Sequence, residues 1–434
     1  MKAIVVGSGA GGAMAAGELA RRGFQVTILE AGDPFSPLTR KVSWLSPLRG
    51  TFLLDDEDAI EHFFPHYQIT RTGKDLVIFT GVGEGGSTAI SCGNMVRAEN
   101  GLKEIGLDLT REFAEIEQTL TIAPTPRERW RPLTKKMFDK AKELGFSPKP
   151  TPKVRTHAKC TECGYCELGC VAGAKWDSRL VYADLLEKGI ALQTDHRVKK
   201  VIVEGHRVKG VLVSHKLSTE RVDADVVVLS AGGVGTAQIL QASGLPASDS
   251  LWVDVVLTVG GVAKGARMLN EPPMVWYSKR DHYILSPYFD LLSYWFHKPW
   301  RSIRTEDRAG MMIKLADSEN GRVNADGTVV KSLTDLDKKR LEEAKAEAKE
   351  IMEASGVTGP FIDGMIHGGH LGGTAPLTRE DVETMHPAWL PRDLWIADLS
   401  LMPRSQGLPT MLTAAALALR VAKRIAQEKL PGKV

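Results

Sequence analysis

Apolar and polar positions near the N-terminus predict two buried strands joined by a helix. Residues 2–6 (KAIVV) and the residues QVTIL before Glu30 are short apolar runs, and residues 13–21 between them are typical of a helix. Short apolar runs bounded by glycine indicate strands, and a helix between two of them predicts a parallel β-α-β unit. This part of the chain is therefore expected to form such a unit.

Later segments carry other patterns. Residues 198–213 alternate as a β-hairpin, and strand-like apolar runs occur at residues 251–259, 274–277 and 311–315. Residues 335–355 place Glu and Lys at helical spacings, which predicts a solvated outer helix. Together with the N-terminal unit, these runs predict an α/β fold with a second, antiparallel part.

Composition and charge narrow the function classes. The 434 residues are enough for two or three domains, and a net charge of +3 is too small to indicate nucleic acid as a partner. We find no apolar run of about 18 residues, so no transmembrane segment is expected. The N-terminus lacks a signal-peptide layout, which makes the cytoplasm the default location. Residues 275–300 concentrate aromatic side chains, which either pack in a core and lid or form an apolar surface for a substrate, a partner or a membrane.

A glycine-rich loop lies between the first strand and the helix. It reads Gly7-Ser8-Gly9-Ala10-Gly11-Gly12 and fits G-x-G-x-x-G, followed after the second strand by an acid, Glu30. Gly7 permits the turn, Gly9 lets the backbone approach a pyrophosphate at the helix N-terminus, and Gly12 allows close helix packing. Glu30 is expected to bind the ADP ribose, and the L-E-A-G run through Ala31 favours FAD over NAD.

Four of the five cysteines are clustered in one short segment. Cys160, Cys163, Cys166 and Cys170 have the spacing C-x₂-C-x₂-C-x₃-C, which predicts ligands of one iron–sulfur cluster, of the [4Fe-4S] kind. A structural zinc site and disulfides are the alternatives. Val171 rather than proline follows Cys170, and a second cysteine set is absent from the sequence, so all four thiolates would serve one centre.

Four segments resemble the glucose-methanol-choline (GMC) family of FAD oxidoreductases. They are residues 7–32, 81–91 (GVGEGGSTAIS), 224–246 and 394–424. The resemblance implies non-covalent FAD, because members with covalent flavin carry histidine at the position of Ile90. It also implies a branch of the family with a similar cysteine segment, and a helix at residues 410–426 directed at the flavin. The cofactor-binding residues implied by these segments, beyond those above, are Gly81, Gly85, Gly86, Ser87, Ser91, Val198, Ala231, Gly232, Asp398, Pro409 and Thr410.

The resemblance also implies a catalytic histidine. His370 lies in a Gly-His-Leu-Gly-Gly-Thr run that matches the family element, where histidine takes the hydroxyl proton while hydride passes to flavin N5. His367 is the second catalytic candidate. The family places another His or Asn where this chain has Pro409, so either another residue substitutes, with Gln406, Ser405 and His367 as candidates, or the chemistry is not standard alcohol oxidation.

These observations predict three parts and one activity. The FAD-binding domain comprises residues 1–110, 181–250 and 365–434, residues 111–180 form a helical iron–sulfur segment, and residues 251–364 form an α+β substrate domain with an antiparallel sheet. We expect an oxidoreductase of a CH–OH/carbonyl pair on a small, apolar molecule. The cluster would relay single electrons to a carrier such as a ferredoxin or to a partner subunit, which makes the protein a dehydrogenase or reductase and not an oxidase. A ferredoxin-linked reductase of an activated C=C bond and an electron-transfer subunit are the alternatives.

Overall fold

The computed structural model describes residues 1–48, 51–73, 76–187 and 189–430. Within these ranges the α-helices are α1 (Ala10–Arg21), α2 (Ala59–Phe63), α3 (Leu102–Ile105), α4 (Thr110–Thr119), α5 (Pro132–Glu143), α6 (Arg179–Glu187), α7 (Gly232–Ala242), α8 (Leu291–Phe296), α9 (Asp335–Ala354) and α10 (Met411–Lys429).

The strands of the same ranges are mostly short. They are β1 (Lys2–Val6), β2 (Gln25–Leu29), β3 (Tyr67–Arg71), β4 (Val77–Gly81), β5 (Ile122–Pro124), β6 (Lys149–Pro150), β7 (Pro152–Val154), β8 (Ala191–Gln193), β9 (Arg197–Glu204), β10 (Arg207–His215), β11 (Ser218–Asp223), β12 (Val226–Leu229), β13 (Val256–Val262), β14 (Trp276–Lys279), β15 (Tyr283–Pro287), β16 (Arg308–Leu315), β17 (Arg322–Val323), β18 (Val329–Val330), β19 (Thr358–Asp363), β20 (His367–Gly368) and β21 (Leu394–Ile396).

A parallel sheet carries the N-terminal unit. Its described strands follow the order β21-β12-β1-β2-β8, and every pair is parallel. The central strands are apolar along their length because both faces of the sheet are covered, and α1 packs against α10 beside it. The predicted β-α-β unit is confirmed, with the helix beginning at Ala10. Because the strands are parallel, their carboxyl ends meet along one edge of the sheet.

A three-stranded antiparallel sheet follows in the chain. The strands β9 and β10 form the predicted hairpin, and β11 adds a third strand to it. The sequence STERVD of β11 is mostly exposed and polar, so it lacks the alternation by which the other two strands were predicted.

A larger sheet forms the second core. Among the described residues its strands follow the order β3-β4-β20-β13-β16-β15-β14-β6, with β19 also paired to β13, and most pairs are antiparallel. The strand β13 begins at Val256, later than predicted, because Leu251 and Trp252 instead form isolated bridges to Gly321 and Gly372. The fold is therefore a mixed α/β fold, while the predicted division into domains stays a prediction.

The aromatic segment packs in this second core. Trp276 and Trp300 are fully buried, and Tyr294 and Phe296 are 2% exposed. The core-packing interpretation of these side chains is confirmed, since burial leaves them unable to form an outer apolar surface.

The prediction of a solvated outer helix at residues 335–355 is wrong for one face of α9. This helix packs on β16 through five buried side chains: Leu341, Ala344, Ala348, Ile351 and Met352. The dense charges on its other face hid the small apolar residues that recur three or four positions apart.

A buried ion pair holds the segment that leads into β13. Nζ of Lys331 lies 2.6 Å from Oδ2 of Asp317, and both side chains are fully buried. The carboxylate of Asp317 also accepts hydrogen bonds from the backbone N–H of Asp254 at 2.7 Å and from Oγ of Ser405 at 3.0 Å. Asp317 thus links β16 to the loops around Asp254.

Removing the cation of this pair should destabilise the fold. Lys331→Met leaves the carboxylate of Asp317 buried and unpaired, so we expect the free energy of unfolding to fall by about 3–5 kcal/mol in urea titrations of the holoprotein. Lys338→Met is the matched control, because Lys338 is 60% exposed and its pair with Asp335 at 3.7 Å is solvated; we expect a change within about 0.5 kcal/mol. Equal stability of the two variants would contradict the role given to the pair.

Candidate active site

One cavity of about 690 Å³ collects most of the residues singled out in the sequence. It opens at the carboxyl ends of β1, β2, β12 and β21, where the parallel sheet meets the larger sheet. The predicted residues on its wall are Gly7, Gly9, Ala10, Gly11, Glu30, Ala31, Gly81, Gly86, Ser87, Ser91, Val198, Ala231, Gly232, His367, His370, Asp398, Pro409 and Thr410. Gly12 and Gly85 lie outside this wall; contact of any of these residues with a cofactor stays a prediction.

The first glycine loop has the shape that its spacing predicts. Gly7 has φ of +99°, a conformation that glycine adopts without cost. A Cβ on Gly12 would lie 2.0 Å from the carbonyl oxygen of Gly7, whereas a Cβ on Gly9 would meet no protein atom within 4 Å. Helix α1 begins after Gly9 without a side-chain cap, so its first N–H groups are free of such a partner. Gly12 therefore serves packing, and Gly9 borders open space.

The carboxylate of Glu30 joins two loops of the cavity wall. Its Oε2 accepts hydrogen bonds from the backbone N–H and the hydroxyl of Ser8, at 3.0 and 2.5 Å. Its Oε1 accepts hydrogen bonds from the N–H groups of Gly32 and Gly83, at 3.0 and 3.2 Å. The hydroxyl of Ser8 also accepts the N–H of Gly85 at 2.9 Å. Gly85 is thus part of the loop junction, although it does not line the cavity.

Asp398 closes the opposite part of the wall. Its Oδ2 accepts hydrogen bonds from the N–H of Gly232 at 2.9 Å and from the hydroxyl of Thr236 at 2.6 Å, and Oδ1 accepts the N–H of Ser400. Burial raises the pKa of Asp398, although these donors oppose the shift. The N-terminus of α10 follows close by, because Pro409, Thr410 and Met411 line the same cavity.

Three charged or titratable side chains converge at the other end of the cavity. Nδ1 of His370 lies 3.4 Å from Oδ2 of Asp254, and Nζ of Lys314 lies 3.3 Å from the same oxygen. Burial lowers the pKa of His370, and the charge of Lys314 lowers it further. His367 stacks on Phe79 at 4.8 Å between ring centroids, and burial lowers its pKa also.

The predicted substitutes for the missing family residue lie elsewhere. Ser405 and Gln406 do not line the cavity, so the prediction that either side chain faces the substrate is wrong. Their hydroxyl and backbone N–H bind the carboxylate of Asp254, and the side-chain amide of Gln406 contacts Asn100. Sequence reasoning missed Asp254 and Lys314, although each interrupts an apolar run, WVDVV and MIKL, and such an interruption is the signal that could have found them.

The four clustered cysteines line a second cavity of about 200 Å³. All are free thiols, which excludes the disulfide alternative in this structure. In the described part of the chain, no group of three His, Cys, Asp or Glu side chains converges as ligands of a single metal ion. Two backbone N–H groups, of Ala174 and Lys175, donate to Sγ of Cys170 at 3.3 and 3.4 Å.

Buried cations surround these cysteines. Arg155 is 3% exposed and donates to Sγ of Cys160 at 3.5 Å and to Sγ of Cys166 at 3.7 Å. Nζ of Lys175 donates to backbone carbonyls, including those of Ser91 at 2.8 Å and Cys166 at 3.0 Å. Burial lowers the pKa of Lys175 and lowers that of Lys153 to about 7, and negative charge on Cys166 counters both shifts.

A single turn separates the two cavities. In the short 3-10 helix Cys166–Leu168, Cys166 lines the small cavity and the next residue, Glu167, lines the large one. The carboxylate of Glu167 accepts hydrogen bonds from the hydroxyl of Tyr288 at 2.5 Å and from the thiol of Cys92 at 3.5 Å. Burial raises its pKa to about 7.

The parallel sheet with its glycine loop at the carboxyl edge is the arrangement typical of dinucleotide-binding proteins. Residues 1–265 match the sequence model of the family described as GMC oxidoreductase, and the chain belongs to this family. FAD is the cofactor expected of it. No helix in the described ranges combines the length and the apolar character of a membrane span.

Relatives support this assignment. The chain is 26% identical to an uncharacterized protein of Methanocaldococcus jannaschii over 97% of this chain and 98% of the relative. It is 30% identical to an uncharacterized GMC-type oxidoreductase of Mycobacterium tuberculosis and 26% identical to a long-chain-alcohol oxidase of Arabidopsis thaliana. Those two matches cover 56% of this chain but only 39% and 34% of the relatives.

A solved structure shares the fold. The pyridoxine 4-oxidase from Mesorbium loti superposes with a TM-score of 0.75 over 98% of both chains, at 14% identity.

Gly12 and Gly17 of α1 differ in the space available for a Cβ atom, so they allow a matched test of the loop. Gly12→Ala would place Cβ 2.0 Å from the carbonyl oxygen of Gly7 and displace the loop, so we expect the purified protein to lose most of its FAD. Gly17→Ala is the control, because its Cβ would meet Leu185 only at an ordinary 3.7 Å. It should keep FAD and gain up to about 1 kcal/mol of stability. FAD is measured by absorbance after release, and equal FAD content of both variants would refute the loop assignment.

Proposed function

We propose that this chain is an FAD- and iron–sulfur-dependent oxidoreductase of a CH–OH/carbonyl pair. One observation carries the proposal: the cavity lined by the glycine loops and His370 is separated from the cavity lined by four cysteines by the turn Cys166–Leu168. A two-electron centre and a one-electron centre would therefore be neighbours. A group held by the four cysteines would supply one-electron transfer between the flavin and an external carrier.

The residues of the large cavity fit FAD. Its volume of about 690 Å³ lies within the range of about 300–1,000 Å³ that is usual for ligand sites. Gly9, open on its Cβ side, and the uncapped start of α1 suit a pyrophosphate, which binds backbone N–H groups at helix N-termini. Ile90 lines the cavity and offers no nucleophile, which supports non-covalent binding. Bound there, FAD would supply the acceptor for a substrate hydride.

His370 is the proposed acid/base. Its imidazole lines the cavity, and burial with the charge of Lys314 keeps it neutral by lowering its pKa. A neutral imidazole accepts the proton of a substrate hydroxyl and returns it when the reaction runs toward the alcohol. His367 lies on the same wall and would orient the substrate, since its ring is fixed against Phe79.

The cysteine cavity fits an anionic iron–sulfur group. Four thiols share about 200 Å³, which suits a group larger than one ion. Arg155 contacts two of the sulfurs and is almost fully buried, so its charge needs an anion there. Cys160, Cys163, Cys166 and Cys170 would hold the group, and their number is the ligand count of a [4Fe-4S] cluster, which would supply one-electron chemistry. Thiols must stay reduced to serve as ligands, so we propose the cytoplasm as its location.

The substrate is proposed to be small and apolar. The wall of the cavity that His370 lines also carries these large side chains: Phe79, Val256, Met274, Tyr288, Leu292 and Met312. Such a wall favours an aliphatic or aromatic alcohol over a sugar, because sugar hydroxyls need more polar partners. The cluster removes the need for O₂ as acceptor, so we propose a dehydrogenase or reductase, although two relatives are named as oxidases.

Pro409 favours a second candidate. It lies on the cavity wall and has no hydrogen-bond donor for an alkoxide. A ferredoxin-linked reductase of an activated C=C bond would not need that donor at the same place. Anaerobic mixing distinguishes the two candidates. An alcohol oxidoreductase should have its oxidised flavin bleached by apolar alcohols, whereas only a C=C reductase should have its reduced flavin reoxidised by enones.

The cluster proposal predicts iron and sulfide in the anaerobically purified protein. Cys166→Ser should abolish the cluster's contribution to the visible absorbance and the EPR signal of the reduced cluster, because one ligand of the cluster is lost. Cys92→Ser is the matched control, since this buried cysteine does not line the small cavity, and it should keep its iron. Zinc without iron in the wild type would overturn the electron-relay proposal.

The acid/base proposal predicts a pH profile. His370 must be neutral to accept a proton, so kcat/KM for alcohol oxidation should rise with pH through a pKa below that of free histidine and then level off. His370→Gln should lower kcat by about 10²–10⁴-fold and remove this rise, while the flavin spectrum stays unchanged. Turnover of every tested substrate at the wild-type rate would contradict the assignment.

A further inference from the structure

Asp254 gathers donors on both of its carboxylate oxygens. Its Oδ1 accepts hydrogen bonds from the hydroxyl of Ser405 at 2.8 Å and from the N–H groups of Gln406 and Gly407 at 2.7 and 2.8 Å. This fixes Oδ2 toward the cavity side, where it faces His370 and Lys314. The side chain of Asp254 is fully buried. Its backbone has φ of +51°, a strained conformation for a residue other than glycine, and such strain gathers at functional sites.

Two atoms of this cluster lack a hydrogen-bond partner. Oδ2 of Asp254 and Nδ1 of His370 are both buried and without a hydrogen bond, although they lie 3.4 Å apart. Buried polar atoms are nearly always paired, so an unpaired donor–acceptor couple at this distance needs an explanation. A charge forming on His370 supplies one: the hydrogen of the neutral imidazole lies on Nδ1, facing Oδ2, so that Nε2 is free to accept a proton, and the contact becomes a charge-assisted hydrogen bond once the imidazolium forms.

Lys314 is a charged residue inside an apolar strand. It is 2% exposed, lies between the buried Ile313 and Leu315 on β16, and lines the large cavity. Its Nζ contacts Oδ2 of Asp254 at 3.3 Å and the carbonyl oxygen of the same residue at 3.3 Å. An ammonium group has three N–H donors, so one of them stays available toward the cavity.

We propose that Asp254, His370 and Lys314 form one acid–base unit, in which Lys314 is a catalytic residue that binds the substrate oxygen and Asp254 is a positioning residue that holds both. This inference rests on the proposed function and deepens it. Lys314 supplies from β16 the hydrogen-bond donor that Pro409 cannot supply. Ser405 and Gln406, expected from the sequence to face the substrate, instead hold the carboxylate in place.

The proposed step balances in protons and electrons. The substrate O–H bond breaks, and its proton goes to Nε2 of His370. The C–H bond breaks as the C=O bond forms, and the FAD held by the large cavity would supply the acceptor for the hydride that leaves with the electron pair. Lys314 donates to the oxygen while it carries negative charge, and Asp254 stabilises the imidazolium through Nδ1. In the reverse direction His370 returns the proton to the alkoxide oxygen.

The charged groups around the unit set the signs of its titration. Burial alone would raise the pKa of Asp254, but Lys314 and His370 hold it below its ordinary value. Burial lowers the pKa of Lys314, and Asp254 and Asp317 oppose that shift. For His370, Lys314 acts with burial and Asp254 against it. His367 lies nearby on β20. A positive charge on either histidine disfavours protonation of the other, so His367 does not stabilise a charged His370.

The test reads the titration of His370 directly. Ring-labelled histidine NMR of the oxidised holoprotein, with His370→Gln to assign the signal, gives the pKa without any substrate. Lys314→Met should raise the pKa of His370, because a neighbouring cation is lost, and Lys314→Arg should leave it near the wild-type value. Asp254→Asn should lower it, and asparagine tolerates the backbone conformation at this position. Lys314→Gln replaces Lys314→Met if the latter fails to fold.

Kinetics complete the test. Lys314→Met should lower kcat about 10²-fold with a smaller change in KM, and should move the acidic limb of the pH profile to higher pH, while Lys314→Arg recovers part of the rate. If the pKa of His370 is unchanged in both the Lys314 and the Asp254 variants, the proposed unit is wrong and Lys314 is a structural residue. If no alcohol is oxidised, the proposed function fails, but the NMR titration still decides whether the unit exists.

Discussion

The hydrogen bonds of Glu30 hold the cofactor cavity together. One carboxylate joins Ser8 of the first glycine loop, Gly32 after β2 and Gly83 of the second glycine segment. The N–H groups of Ser8 and Gly83 are buried and would otherwise lack this acceptor. The two loops can therefore face each other across an open cavity only because an acid lies at the end of β2. The family's acidic position thus has a structural role here, whether or not it also binds a ribose.

Compensation of buried charge recurs at three places in the chain. Asp317 is paired with Lys331, Asp254 with Lys314, and the cysteine segment with Arg155. The first two pairs consist of an acid and a base that the protein itself provides. At the third place the cation meets thiols, which are neutral unless they lose their protons. The contacts of Arg155 there are to the sulfurs of Cys160 and Cys166 and to the carbonyl oxygen of Cys92.

The sequence was sufficient where function depends on local spacing. The glycine loop, the acid after β2 and the cysteine run each lie within a short stretch, and most of their residues line one of the two cavities, while their contact with a cofactor stays a prediction. It was insufficient for Asp254 and Lys314, which are far apart in the chain. They meet because β13 and β16 pair with Val256 opposite Lys314, and that register is a property of the whole sheet. The buried face of α9 was missed for a similar reason. That face is buried by contact with β16, and the sequence of α9 alone does not show this contact.

The turn Cys166–Leu168 has a consequence for how the protein matures. The turn lines both cavities. Nζ of Lys175 donates hydrogen bonds to the carbonyl oxygens of Cys166 and of Ser91, and Ser91 lines the cavity proposed for the flavin. Any group that draws the four sulfurs inward would also fix the surface against which the flavin packs. Under the proposed function, filling of the cysteine cavity and completion of the flavin pocket would therefore be coupled, and a chain made under iron starvation would lack both.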